Sequence, residues 1–268
     1  MASTLDRSRL SLNLITVDGW SLDEALEGCA RAGIETVGVW RSQLADGAAR
    51  KMAASSIGVS GLCRGGFFPA ASARERAARI EDNRRAIEQA AEVGTDVLVM
   101  VCGPPPDGDL GAARRMVREG VEAVLPDALD HGVTLGIEPL HPMMIGERSV
   151  IVTLREAVDL ARAFEQGVGV VVDAYHVFWD PDVEAELERA AGRIVGFHVS
   201  DWLVPTTSML AGRGLMGDGI IDLRRLRLAV ERAGYTGPIE VEIINPELSS
   251  LDRDDLVRLV CERFTTLV

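Results

Sequence analysis

The sequence predicts a single-domain α/β protein, a TIM (β/α)8 barrel spanning residues 1–268. Three observations carry that prediction. Short apolar, β-branched runs alternate with helical stretches eight times, and no linker or change of composition interrupts the rhythm. The segment after the first strand, DGWSLDEA, holds no GxGxxG, so the fingerprint of an open dinucleotide-binding sheet is absent. Several later strands place ionisable side chains near their C-terminal ends, the face of this barrel that carries chemistry.

Residues 10–17 read as the first strand. The next segment, 21–33, opens on Ser21 with Glu24 three positions on and closes on Gly33, which is the pattern of a capped helix. A second strand is expected at 35–41, with a helix from about 43 to 56. The third strand, 59–66, leads through paired glycines and FFP into a helix at 72–93. Strand four, 95–103, runs into Pro104, Pro105 and Pro106, which must be loop because proline continues neither element, and a helix follows at 110–130. Strand five at 134–140 precedes a helix at 153–164, and strand six at 168–175 precedes one at 181–191. After strand seven, 194–200, the Gly-rich segment VPTTSMLAGRGLMGDG leads to a helix at 222–233. Strand eight at 239–244 and a helix at 252–266 come last.

A formal net charge of −13 argues against a surface that neutralises phosphate backbones, so no nucleic-acid partner is expected. The four cysteines, Cys29, Cys63, Cys102 and Cys261, are far apart with no CxxC, which suggests neither a zinc knuckle nor a disulfide framework. Reduced thiols fit a cytoplasmic protein. The N-terminal apolar run is broken by Asn13 and is too short for a membrane span or a secretory core, so no membrane association is expected. The sequence is compatible with a homo-oligomer.

Strand six, VGVVVDAYH, shows the logic of the site most plainly. An apolar run buried on both faces abruptly delivers Asp173 and, three residues on, His176. TLGIEPLHP carries Glu138, IVGFHVSDW carries His198, and IEVEIINP carries Glu242, each close to the end of its strand. Charges there are costly unless something pairs with them, and a metal or substrate would do so. Glu240 shares a strand face with Glu242 but sits deeper, so Glu242 is the better ligand and Glu240 reads either as a charge paired inside the barrel or as a sign of a different register. Glu138, Asp173, His198 and Glu242 form an oxygen-rich set that suits one Mn²⁺, Mg²⁺ or Co²⁺ ion better than structural zinc. Such an ion could take a carbonyl and its neighbouring hydroxyl, act as Lewis acid and stabilise an enediolate. Glu138 and Glu242, on non-adjacent strands, could then serve as acid and base. His141 could contact substrate or pack the loop; Trp20, Trp40 and Phe67, at or just past the first three strand ends, could wall a sugar or pack the rim. Asp201 and Asp218 read equally well as residues that order loops.

GIEPLHP, VVDAYHVFW, GFHVSDW and GPIEVEI, in this order, resemble the sugar isomerase/epimerase family with the xylose-isomerase-like TIM barrel, which includes ketose 3-epimerases, hydroxypyruvate isomerases and inosose-processing enzymes. The resemblance covers essentially the whole chain and is most specific from Thr134 onward. It implies that Glu138, Asp173, His198 and Glu242 bind one divalent metal while Glu138 and Glu242 exchange the substrate proton. It also implies that His176, and an Arg in the loop after strand seven, here Arg213, touch substrate oxygens. Arg213 lies well beyond HVSD, which departs from the family pattern. The expected function is a metal-dependent isomerase or epimerase of a sugar or polyol-ketone. The alternative is a lyase or dehydratase on a keto-sugar or 3-keto-glycoside. A non-catalytic barrel subunit fits the carboxylates less well, and an endonuclease-like hydrolase would want more histidine than the four present and a basic groove.

Overall fold

Eight parallel strands close on themselves in a computed structural model that describes residues 5–268. The barrel strands are β1 (Leu10–Asn13), β2 (Thr36–Trp40), β3 (Gly58–Gly66), β4 (Val97–Val101), β5 (Thr134–Ile137), β6 (Val168–Asp173), β7 (Ile194–Val199) and β10 (Ile239–Val241). They run around the barrel in the order β1-β10-β7-β6-β5-β4-β3-β2. Between β7 and β10 lies an antiparallel pair, β8 (Asp201–Trp202) and β9 (Arg213–Gly214). The helices are α1 (Leu22–Ala32), α2 (Ala48–Ala54), α3 (Ala73–Val93), α4 (Leu110–Asp130), α5 (Leu154–Arg162), α6 (Ala174–Val177), α7 (Val183–Arg189), α8 (Leu223–Arg232) and α9 (Arg253–Leu267).

Alternation along each strand sorts its side chains into two cores. Leu12, Val39, Leu98, Ile137, Val172 and Val241 belong to the large cluster shared with the helices. Cys63, Val97, Val99 and Val171 form a separate cluster that fills the barrel itself. Gly136 makes room for that filling, because a Cβ there would stand 2.7 Å from Val171 Cγ2. Helix starts are fixed by side-chain caps: Ser21 with Glu24 on α1 and Thr153 with Glu156 on α5 form reciprocal capping boxes.

Several elements are shorter than the sequence pattern implies. The first strand stops at Asn13, whose side chain accepts from the Ile15 amide and turns residues Leu14–Val17 into a 3-10 helix. The second helix begins only at Ala48. A separate 3-10 turn, Arg41–Gln43, is closed by Gln43 Oε1 accepting from the Trp40 amide, and Gly47 adopts φ +84° before α2. Strand six ends on Asp173, which caps the single turn α6 by accepting from the Tyr175 amide at 2.9 Å. The Gly-rich stretch after strand seven is not plain loop, since it contains β8 and β9. In each case a side-chain hydrogen bond or a tertiary pairing takes over where the apolar run continues. No helix among the described residues is long and apolar enough to cross a membrane. All four cysteines are free and buried.

Candidate metal centre at the C-terminal end of the barrel

Barrel register brings the ionisable strand-end residues round to one side. Asp173 on β6 pairs in register with His198 on β7, His198 with Glu240 on β10, and Glu240 with Ser11 on β1. Glu138 and Glu242 each stand one residue beyond their strands, anchored by amides that donate to Met100 O at 3.2 Å and Val199 O at 3.1 Å. Glu138, Asp173, His198 and Glu242 are all buried, and one ligand atom from each lies within 4.8 Å of the others.

The electrostatics of this cluster suit a cation. His198 Nδ1 is buried with no hydrogen-bond partner among the described residues, 3.5 Å from Glu138 Oε1 and 3.8 Å from Glu242 Oε2. Burial opposes charge on this ring, yet Glu240, Glu138 and Glu242 outweigh it and hold its pKa up at about 10. A carboxylate field that strong will favour any positive charge placed there. Burial raises Glu242 to about 7, with Glu138 and Asp173 pushing the same way against the pull of Arg213 and His198. Burial also opposes ionisation of Asp173, but Arg213, His176 and His198 hold its carboxyl below the usual range. An unpartnered imidazole nitrogen facing carboxylate oxygens, with three carboxylates and one imidazole as the donor set, fits a divalent ion.

Arg213 reaches this cluster despite its distance from HVSD along the chain. The β8–β9 pair folds the intervening loop back, placing Trp202 opposite Arg213, and Asn245 Nδ2 donates to the Arg213 carbonyl at 2.8 Å. The buried guanidinium then donates from Nη1 to Asp173 Oδ2 at 2.8 Å and to Glu242 Oε2 at 3.1 Å. It lies over the Tyr175 ring at 4.7 Å. Its Nη2 is 3.2 Å from His176 Nε2. His176 Nδ1 accepts from the His141 amide at 3.2 Å, and burial drops this imidazole to about 3, so the ring is neutral.

The remaining sequence candidates separate. Trp40 Nε1 donates to Glu242 Oε1 at 3.2 Å and lines the cavity beside it. The His141 ring stacks on Trp202 at 4.9 Å and meets Trp179 edge-on at 5.8 Å, so it packs the loop while its amide orients His176. Phe67 packs against Val101, Leu140 and Met144 and does not line the cavity at the cluster, and Arg64 lies over its ring at 3.9 Å. The Trp20 ring rests on Gly28 of α1, away from the cavity. Asp201 orders the loop: its carboxylate accepts from the amides of Trp202, Gly217 and Ile221 at 2.9, 2.9 and 3.0 Å. Asp218 pairs with Arg263.

Glu240 lies below the cluster, as its place on the strand implied, but the partners that make a polar floor with it were not evident in the sequence. Asn13 Nδ2 donates to Glu240 Oε1 at 2.6 Å and to Glu242 Oε1 at 3.2 Å, while Ser60 donates to Glu240 Oε2 at 2.6 Å and meets Ser11 at 2.8 Å. Glu240 Oε1 in turn stands 3.8 Å from His198 Nε2. Gly38 leaves the space, since a Cβ there would be 2.1 Å from Glu240 Oε1. The visible signal was Asn13 interrupting an apolar run. Above the cluster, Met144, Leu210 and Arg148 complete a narrow cavity of about 20 Å³, room for an ion or about one water.

Residues 26–265 match the family described as the xylose isomerase-like TIM barrel. The chain belongs to that family. Among its relatives, L-ribulose-5-phosphate 3-epimerase UlaE of Escherichia coli is 29% identical over 171 residues, 63% of this chain and 57% of the enzyme. The match thus spans little more than half the length of that relative. Protein SMc04130 from Sinorhizobium meliloti 1021 is 44% identical, with a TM-score of 0.95 over 98% of this chain and 99% of its own. IolI, solved with a bound zinc atom, is 19% identical with a TM-score of 0.81 over 97% of this chain and 98% of its own, a likeness of fold.

Proposed function

We propose that this member of the family is a divalent-metal-dependent isomerase or epimerase of a sugar or polyol-ketone, moving a proton through an enediolate. The observation that carries it is the convergence of Glu138 and Glu242, from non-adjacent strands, on one buried set with Asp173 and His198. A divalent ion such as Mn²⁺, Mg²⁺ or Co²⁺ held there would act as Lewis acid on a substrate carbonyl. Glu242, buried beside the ion that this set would hold, is placed to take or return the substrate proton. Its Oε1 is fixed by Asn13 and Trp40, which aims the carboxylate. Glu138 takes the complementary role on the other side. Neutral His176 and the buried Arg213 line the same cavity, where the guanidinium offers donors to substrate oxygens and the imidazole helps to place it. A sugar needs more space than this narrow cavity holds, and the Met209–Leu210 segment, packed on Leu140 and Met144, is the part of its rim suited to move aside. Once closed, these apolar side chains keep water from the reacting carbon. The 3-epimerase named among the relatives supports the reaction class.

The test is deuterium wash-in during turnover of a ketose panel in D₂O, on protein of measured metal content. Deuterium entering the carbon beside the carbonyl is the expected result. Complete intramolecular transfer of a labelled hydrogen at every pH, with no exchange in single turnover, overturns the enediolate route. Loss of a β-substituent in place of isomerisation favours the lyase reading.

A further inference from the structure

The narrow cavity at the metal centre shares two walls, Trp40 and Cys63, with a wider cleft of about 320 Å³. Two arginines line these adjoining spaces. Arg148 lines the cavity together with Glu138 and Glu242, and Arg64 lines the cleft. Neither guanidinium has a hydrogen-bond acceptor or a carboxylate within 4.0 Å among the described residues, and Arg148 Nε is buried without any partner. In a chain with 41 acidic against 28 basic residues, that is unexpected. Several half-buried arginines elsewhere are matched: Arg9 with Glu231, Arg114 with Glu156, and in the same cleft Arg41 with both oxygens of Asp82. Arg64 has only the face of Phe67. Its guanidinium is held below the usual range by burial, with the positive charges of Arg148 and Arg41 adding to the effect against the opposing pull of Cys63 and Asp82. Two like charges kept together and desolvated without a counter-ion are costly unless a ligand supplies one.

We infer that Arg148 and Arg64 form a subsite for the anionic end, phosphate or carboxylate, of the substrate whose carbonyl end reaches the metal centre. The subsite rests on the proposed isomerase reading for its substrate but not for its ligand chemistry. The metal-centre side is rich in carboxylates and suits a cation with chelating hydroxyls; the arginine side presents forked donors that match planar or tetrahedral anions. A neutral sugar would bring only hydroxyls to those donors and leave both charges unbalanced. The anionic end then sets which carbon lies between Glu138 and Glu242, since the tail is pinned at a fixed distance from the metal ligands.

Calorimetric titration of chelator-treated protein with inorganic phosphate tests the subsite apart from metal and activity. Phosphate is expected to bind the unaltered chain and to bind about tenfold or more weakly after Arg148→Gln or Arg64→Gln, the loss of charge-assisted bonds. Absence of phosphate binding, or equal binding by both folded variants, overturns the assignment. Should Arg148→Gln fail to fold, Arg64→Gln, in the wider cleft, carries the same test. With Mn²⁺ restored, KM is compared for neutral ketoses, ketose phosphates and keto-acids of sugars. A KM rise in the variants confined to phosphates or to carboxylates identifies which anion the subsite takes. Turnover of neutral ketoses alone, indifferent to both arginines, overturns the subsite and leaves the isomerase reading standing. Phosphate binding that needs both arginines, with no substrate exchanging a proton, does the reverse.

Discussion

Glu242 is held by more neighbours than any other carboxylate of the cluster: Asn13 and Trp40 on one oxygen, Arg213 on the other. That fixing separates its chemistry from its packing, because a glutamine of the same shape keeps the volume and loses the proton exchange. Glu242→Gln and Glu138→Gln are each expected to lower turnover at least about a hundredfold, with metal content measured alongside. Near-normal turnover in a metal-loaded variant would remove that residue from the proton path. Glu240 acts one layer down. Its Oε1 faces His198 Nε2 and accepts from the Asn13 amide group that also touches Glu242, so it orients two ligands at once. Glu240→Gln is expected to weaken Mn²⁺ binding about 10- to 100-fold in a calorimetric titration while the fold persists. Unchanged affinity would reduce Glu240 to a buried filler.

At the scale of elements, the β8–β9 pair solves a geometric problem. Arg213 must cross from a long loop into the barrel mouth, and two antiparallel residues on each side suffice because Asp201 organises the rest of the turn. Asp201 is almost fully buried, and its removal leaves the amides of Trp202, Gly217 and Ile221 without their acceptor. Asp201→Ala is expected to cost about 1–3 kcal/mol in denaturant unfolding, and to raise KM more than it lowers turnover as Arg213 loses its placement. A variant with wild-type stability and kinetics would show that the hairpin stands without this carboxylate.

For the molecule as a whole, three buried carboxylates in one cavity repel one another, offset in the chain itself by Arg213 and a protonated His198. A bound divalent ion should therefore stabilise the barrel through mass action, by about 2.7 kcal/mol when free ion stands at 100 times its Kd. Chelation is expected to lower Tm, Mn²⁺ to restore it, and Glu138→Gln to shrink the difference. A melting curve blind to both chelator and ion would argue that the four residues hold no metal.

The order of strands and helices was legible in the sequence because apolar runs and caps are local, and a closed parallel barrel is the arrangement that buries eight such strands on both faces. Glu138, Asp173, His198 and Glu242 were legible for a related reason: a charge at the end of an otherwise apolar strand stands out against its neighbours. Boundaries were not, since Asn13, Gln43 and Asp173 end their runs through side-chain hydrogen bonds that a hydrophobic pattern does not record. The pairing of Asn13 and Ser60 with Glu240, the space given by Gly38 and the unmatched Arg64 and Arg148 were decided by tertiary structure alone. Each depends on which residue of one strand lies level with which residue of another. That register is set by barrel closure across more than two hundred residues of chain, as in the pairing of Ser11 with Glu240, and no local stretch of sequence contains it.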